Sequence, residues 1–259
     1  MSRYKILVAT HKKFLMPKES LYLPVHVGAI GKEDLGYQRD DQGINISDKN
    51  GGFCELTGIY WAYKNLNVDY WGIVHYRRYF RKKYKYYGNK FTFLLDEDDL
   101  NRLFSKCDII LPKRQRYYIE TIYSHYAHTH HKHDLELTRN VLSDLCPDYV
   151  KDWDTVMRRR SAHMFNMFIM KREYAQTYCD WLFPILFELE KRVDLSLYDA
   201  FHSRLFGRIS EFLLDVWLEH NQLSYIEVPI IFMGKINWLR KIGSFLKAKY
   251  KGEKYHGSF

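Results

Sequence analysis

The chain contains few cysteines and prolines and no long apolar run, and each shortage excludes a class of protein. Its 259 residues include 4 cysteines and 6 prolines. The cysteines are widely spaced and form no CxxC pair: Cys54, Cys107, Cys146 and Cys179. This spacing argues against a zinc site and indicates free thiols in a reducing cytoplasm. Because no linker-like stretch occurs either, we expect one continuous domain with insertions.

The amino terminus and the apolar segments give no sign of export or membrane insertion. The apolar core near the start is short, from Ile6 to Ala9, and no small-residue cleavage site follows it. It therefore predicts a first β-strand rather than a signal peptide. No segment approaches the roughly 20 apolar residues of a transmembrane helix. These features favour a cytoplasmic protein.

Aromatic side chains and positive charge are abundant. Hydrophobic residues make up 46% of the chain and aromatic residues 17%, with 22 tyrosines, which is enough to bury a sizeable core. The formal net charge of +9 favours an acidic partner, such as nucleic acid, an anionic lipid surface or a phosphorylated ligand.

The positive charge is concentrated in residues 79–90, 158–160 and 235–259. In the last segment, apolar residues recur at helical spacing: Ile236, Leu239, Ile242, Phe245 and Leu246. Lysines and Arg240 take the other face, a pattern typical of a basic amphipathic helix on an anionic membrane. A helix that packs its apolar stripe on its own domain fits the same pattern. We expect residues 1–234 to form the globular domain and residues 235–259 a basic amphipathic carboxy-terminal helix.

The order of strand and helix patterns predicts an α/β fold. The apolar segments YKILVAT and VDYWGIVHYRRYF indicate strands, and FCELTGIYWAYKN between them indicates a helix. Strand, helix and strand in this order are typical of an open sheet flanked by helices. Further strands are predicted at DIILPKR, HMFNMFIMK and SYIEVPIIFM, with helical insertions over residues 120–160.

Basic side chains follow two of the predicted strands. Ligands in α/β folds bind beyond the carboxyl ends of the strands, so these side chains predict a cationic site if the strands are neighbours. Guanidinium groups beside tyrosine rings suit a diphosphate attached to a base or sugar. Exposed arginines paired with acids are the alternative. The candidates for donor and diphosphate binding are His11, Lys12, His75, Tyr76, Arg77 and Arg78.

Five ordered motifs give the chain a family resemblance: VATHK, NISDKNGGFCELTGIYWAYKN, YWGIVHYRRYF, HMFNMFIMKREY and RLFGRISEFLLDVWL. Together they resemble a bacterial capsular and exopolysaccharide glycosyltransferase family, first catalogued as a domain of unknown function, with galactosyl- and galactofuranosyltransferases among its members. The resemblance implies a GT-A-like open mixed sheet in residues 1–234 and a UDP-sugar donor. It also implies a lipid-diphosphate-linked glycan acceptor at the inner face of the bacterial plasma membrane.

The diphosphate site lacks the metal motif of typical GT-A enzymes, in which Asp-x-Asp ends a central strand and holds a divalent metal. Here that strand end carries Arg77 and Arg78, so we expect fixed arginines to stabilise the leaving group without a metal or other cofactor. Two Asp-x-Asp triplets occur elsewhere, at residues 96–98 and 152–154. The first has the pattern of a helix start, and the second lies in a helical stretch.

Glu211 is the first candidate for the base of an inverting transfer. We expect it at the start of a helix behind a Ser210 cap, where a carboxylate can take the acceptor proton. A helix-capping glutamate is the alternative. Asp199 is the second candidate for the base, with Arg204 as a positioning partner.

Several polar residues are candidates for sugar or acceptor contacts. Loop polarity alone also explains Asp40, Asp41, Asn45 and Asn50. For His130, which lies in the histidine run 125–134, a metal site is the alternative. We expect Glu55 to pair with an arginine, and Asn166 to need a ligand or backbone partner because an unsatisfied buried amide is costly. The candidates are Asp40, Asp41, Asn45, Asn50, Glu55, His130, His163 and Asn166.

A basic RNA- or DNA-binding protein without catalysis is the competing hypothesis, because charge and tyrosines favour it. The chain has no recognisable nucleic-acid module, and its basic clusters alternate with apolar strands. We therefore prefer the transferase and expect no nucleic-acid partner.

Overall fold

The computed structural model describes residues 3–83 and 88–234. The predicted amphipathic helix over 235–259 lies outside the described residues. The strands are β1 (Tyr4–Thr10), β2 (Tyr22–His26), β3 (Gln38–Arg39), β4 (Tyr70–His75), β5 (Arg78–Phe80), β6 (Ile109–Pro112), β7 (Gln115–Arg116), β8 (Ser161–Ala162), β9 (Phe168–Lys171), β10 (Ile226–Val228) and β11 (Ile230–Phe232). The helices are α1 (Asn50–Phe53), α2 (Leu56–Asn65), α3 (Glu97–Phe104), α4 (Ile122–Thr129), α5 (Lys132–Leu145), α6 (Val150–Met157), α7 (Arg172–Arg192) and α8 (Leu205–His220).

The central sheet is mixed. Its strand order is β10-β6-β9-β4-β1-β2-β3. Strand β1 pairs in parallel with β2 and β4, whereas β9 runs antiparallel between β4 and β6. The close approach of β9 to β4 requires Gly72, since a Cβ there would lie 2.1 Å from the carbonyl oxygen of Phe168. The predicted mixed α/β sheet flanked by helices is confirmed.

Each face of the sheet has its own core. Successive side chains of a strand point to opposite faces, so Leu7 joins the core beneath α2, α7 and α8, whereas Ile6 and Val8 join the core beneath α3. Within the described ranges, no helix is long and apolar enough to cross a membrane.

Two predicted strands are shorter than expected, and both differences shape the site. The run 70–80 is not one strand: the chain turns after His75, and Arg78 pairs back with His75 at the start of β5. Residues 163–166 were predicted as strand but form a turn, in which Phe165 (φ 78°) and Asn166 (φ 51°) have left-handed backbone conformations.

Helix α8 begins earlier than predicted. It starts at Leu205, so Ser210 is buried inside the helix and does not cap it. Glu211 consequently lies in the second turn, and its alternative role as a capping residue is excluded.

Candidate active site

A cluster of basic side chains occupies the carboxyl edge of the sheet. His11 and Lys12 follow β1, and His75 ends β4. Because β1 and β4 are parallel neighbours with Ala9 opposite His75, the two strand ends lie side by side, as the sequence analysis required. The turn after β4 then places Arg77 and Arg78 at the same edge.

The two adjacent arginines are held against aromatic rings. The guanidinium carbon of Arg77 lies 5.1 Å from the ring centroid of Tyr76, and that of Arg78 lies 4.4 Å from the ring of Phe165. The Nζ atom of Lys12 also lies 5.6 Å from the Tyr76 ring. Such stacking fixes each cation without neutralising it.

No carboxylate of the described residues forms an ion pair with Arg77, Arg78 or Arg208. Burial, and then the charge of Arg77, lower the pKa of Arg78. Partly buried cations that repel one another would be stabilised by a bound anion. The edge is therefore electrostatically prepared for an anionic group such as a diphosphate.

Two carboxylates lie among these cations. Glu55, at the start of α2, is 9% exposed, and Glu211 projects from α8. Burial and then the charge of Glu55 raise the pKa of Glu211 to about 8, against the opposing effects of the Phe165 N–H, Arg208 and Arg78. A carboxyl group with this pKa gains and loses its proton near neutral pH, as acid–base catalysis requires.

The histidines of this edge are largely neutral. Burial is the main cause that lowers the pKa of His75, and burial followed by Lys12 lowers that of His11. The Nε2 atom of His75 lies 2.5 Å from the carbonyl oxygen of Phe165. His75 therefore donates a hydrogen bond within the protein at this nitrogen.

Arg208 belongs to the site although the sequence analysis missed it. Its guanidinium donates to the carbonyl oxygen of Phe201 at 2.5 Å and lies 4.3 Å from the Phe201 ring. The sequence does contain a pattern that indicates Arg208. Arg204, Arg208 and Glu211 are spaced four and three residues apart, so they share one face of a helix.

Four predicted sugar contacts in the loop over residues 40–50 instead stabilise the protein. Asp40 is 0% exposed, and its carboxylate accepts from the N–H groups of Gly28 and Ala29 and the hydroxyls of Ser47 and Thr57. No lone-pair direction is left for a ligand, which corrects the prediction.

The other three residues of this loop also have partners within the chain. Asp41 forms an ion pair with Arg39 at 2.6 Å. Asn45 donates to the carbonyl oxygens of Asp41 and Gly43. Asn50 donates to Cys54 O and the Thr57 hydroxyl. The bonds of Asp41 and Asn45 are local, whereas those of Asn50 reach the start of α2.

Asp199, the second candidate for the base, is poorly suited to that role. Hydrogen bonds from the backbone N–H and ring of His202 lower the pKa of Asp199 to about 2, so this carboxylate has little affinity for a proton. Arg204, its proposed partner, instead donates from Nε to the Cys54 sulfur at 3.1 Å.

His163 is too deeply buried for a sugar contact, whereas His130 is partly buried. Burial and then Arg208 lower the pKa of His130 to about 2, so His130 is neutral. His163 is 1% exposed, and its two ring nitrogens face Asp215 at 2.5 Å and Glu227 at 3.1 Å. Asn166 and Glu55 hydrogen-bond each other at 2.8 Å.

The carboxylates that raised metal alternatives, and two of the histidines, have partners within the protein. Asp96 caps α3 in a reciprocal capping box with Asp99, as predicted. Asp152 pairs with His220 and Asp154 with Arg139. In the histidine run, His125 and His128 both contact Glu120. The described part of the chain holds no group of three His, Cys, Asp or Glu residues that could bind a metal ion.

The mixed sheet flanked by helices defines an α/β protein whose fold also occurs in a known glycosyltransferase. A solved structure described as the apo form of the WbbM bifunctional glycosyltransferase matches with a TM-score of 0.83 and 28% sequence identity. The match covers 90% of this chain and 46% of that one, so the chain spans less than half the length of that protein.

The chain belongs to the family described as Domain of unknown function (DUF4422), whose family model matches residues 5–222. No curated protein matches the chain. The family description names no activity, and the structural neighbour is described as a bifunctional glycosyltransferase.

Proposed function

We propose that the protein transfers a hexosyl group from a UDP-sugar to a hydroxyl group of a lipid-linked oligosaccharide. Galactofuranose and galactose are the preferred sugars because the five sequence motifs resemble a family with such members. The observation that carries the proposal is the set of three arginines, Arg77, Arg78 and Arg208, for which the described residues 3–83 and 88–234 supply no carboxylate ion-pair partner.

The arginines would stabilise the departing nucleotide. When the bond between the sugar anomeric carbon and the diphosphate breaks, negative charge develops on the phosphate oxygen. Arg77 and Arg78 are fixed by Tyr76 and Phe165, so little reorganisation is needed to meet that charge. In this proposal they replace the divalent metal that other enzymes use for the same purpose.

Glu211 would be the general base. An ionised Glu211 takes the proton of the acceptor hydroxyl group. At the same time the hydroxyl oxygen forms the new bond to the anomeric carbon, on the side opposite the diphosphate. Attack from that side inverts the configuration of the anomeric carbon. The pKa of about 8 makes Glu211 a stronger base than an ordinary glutamate and leaves part of the population ionised at neutral pH.

The acceptor and the location follow from charge and resemblance. A net charge of +9 favours association with an anionic membrane, where a lipid-diphosphate-linked glycan would be held. We place the enzyme on the inner face of the bacterial plasma membrane as a peripheral protein. The segment over 235–259, which would contribute to this association, lies outside the described residues.

The test is calorimetric titration with UDP, with and without EDTA, of the wild type, Arg77→Gln and Arg78→Gln. Each charge-assisted hydrogen bond contributes on the order of 1.5–3 kcal/mol, so each variant should bind UDP roughly 10- to 100-fold more weakly. Arg139→Gln is the matched control, because Arg139 is paired with Asp154 on the helical insertion. We expect binding that survives EDTA in the wild type and control.

Two outcomes would contradict the proposal. Undiminished UDP affinity in both site variants would show that the diphosphate binds elsewhere. Absence of UDP binding, combined with affinity for RNA or DNA that falls steeply as salt rises, would favour the nucleic-acid hypothesis.

A further inference from the structure

Two consecutive residues with left-handed backbone lie at the centre of the candidate site. Phe165 has φ 78° and Asn166 φ 51°. Such backbone is unfavourable for a residue other than glycine and persists only where the surroundings enforce it. Strain of this kind concentrates at functional sites, so the contacts of this turn are informative.

Phe165 contacts three functional groups at once. Its carbonyl oxygen lies 2.5 Å from Nε2 of His75. A backbone hydrogen bond from Phe165 lowers the pKa of Glu211, against the larger effects of burial and Glu55. Its ring lies beneath the guanidinium of Arg78. A residue in the extended conformation, as a strand here would require, would aim its N–H and C=O groups in other directions.

Asn166 uses its amide to tie the second carboxylate to α8. The Nδ2 group donates to Glu55 and to the carbonyl oxygen of Gly207, both at 2.8 Å, and Oδ1 accepts from the Ser210 hydroxyl at 2.8 Å. The side chain is 3% exposed. Because its donors and acceptor are all used inside the protein, Asn166 is not placed to contact a sugar.

His163, two residues before Phe165, anchors the turn to the same helix. The backbone N–H of His163 donates to Asp215 of α8 at 3.0 Å, and the His163 ring faces the same carboxylate. The turn is thus attached to α8 through His163 and through Asn166, on either side of Phe165. The position of Phe165 relative to Glu211 is therefore fixed.

We propose that the Phe165–Asn166 turn is a positioning element for the general base: Asn166 holds Glu55 in place beside Glu211, and Phe165 directs its N–H at the ionised Glu211. This inference rests on the proposed transferase function. Charged or titratable groups that act on Glu211 come from several elements: Glu55, Arg78, Tyr117, Arg204 and Arg208. The turn contacts two of them directly, Glu55 and Arg78.

The decisive variant is Asn166→Asp, which exchanges two N–H donors for a third carboxylate. We expect kcat to fall roughly a hundredfold through misplacement of the base, and the acid limb of the pH profile to move up by about one unit or more. UDP affinity should change less than threefold, because the arginines that bind it are untouched. Asn221→Asp is the matched control, since Asn221 donates to Tyr149 and Trp217 at the far end of α8.

Two further measurements separate this role from simple destabilisation. Asn166→Gly keeps the backbone conformation without strain and removes the amide, so it should lose kcat while remaining as stable as Asn166→Asp or more so. Carboxyl ¹³C NMR measures the protonation of Glu211 and does not require enzymatic activity. The signal of Glu211 is assigned by its absence in the Glu211→Gln variant.

The outcomes distinguish failure of the inference from failure of the proposed function. An unchanged Glu211 titration and kcat in folded Asn166→Asp would overturn the positioning role. If the wild type transfers no sugar but the Glu211 titration still shifts in Asn166→Asp, the turn controls this carboxylate and the transferase proposal alone fails.

Discussion

The protonation of Glu211 gives a quantitative prediction for catalysis. A base with a pKa of about 8 is ionised to roughly 1% at pH 6 and 50% at pH 8, so kcat/KM should rise about fiftyfold over this range. The histidines of the site do not mask the rise, because the pKa values of His11 and His75 are lowered from 6.5. Ordinary glutamates, which titrate near pH 4–5, would give a flat profile.

The assay measures the release of UDP from the UDP-sugar at several pH values. The quantity compared is kcat/KM, because its pH dependence reports the pKa values of the free enzyme. Glu211→Gln should retain UDP binding, lose most of its activity and show no rise between pH 6 and pH 8. A wild-type profile that is flat over this range, or the same rise in Glu211→Gln, would refute the assignment of Glu211 as the base. Asp199→Asn serves as a comparison, since that exposed carboxylate titrates near pH 2.

Three further predictions concern the pH dependence of stability, the requirement for a metal ion and binding to membranes. Glu211 keeps its proton in the folded state up to about pH 8, whereas the unfolded chain releases it above about pH 4.5, so the free energy of unfolding falls as the pH rises between these values. The variant Glu211→Gln should therefore raise the urea midpoint at pH 8.5 more than at pH 5. An equal change at both pH values would contradict the raised pKa. Excess EDTA should leave transfer nearly unchanged, whereas complete loss restored by manganese would show that the arginines do not replace a metal. Deletion of residues 236–259 should release the protein from anionic vesicles, and continued binding would exclude this segment as the anchor.

The sheet and the cationic edge were predictable because they depend on local patterns. Buried strands such as β1 and β4 are continuous apolar runs, and the residues that follow parallel neighbouring strands must meet at one edge. The capped start of α3 follows from the acidic residues of its first turn, by the same kind of local chemistry. This reasoning located His11, His75 and the adjacent arginines without knowledge of any long-range contact.

The remaining features depend on contacts that no local pattern specifies. Residues 163–166 read as strand because they adjoin the apolar run over 167–170, but the His163–Asp215 and Asn166–Gly207 hydrogen bonds impose a turn. Asp40 looks like an exposed loop aspartate, yet four donors from separate segments surround it. Burial of a polar residue is decided by partners that are distant in sequence, so its role could not be derived from its neighbours.

The charges of the site explain why it is shaped for a ligand rather than for stability. Arg78 and Arg208 both have lowered pKa values whose largest cause is burial, and Glu211 has a raised one, so all three are held where their charged forms are disfavoured. A protein selected only for stability would pair Arg78 with Glu211 or replace both with apolar residues. Glu55 instead accepts a hydrogen bond from Asn166, and Arg78 lies over the ring of Phe165. The arrangement keeps cations available for an anion and a carboxylate available for a proton, which is the combination that the proposed transfer from a nucleoside diphosphate would need.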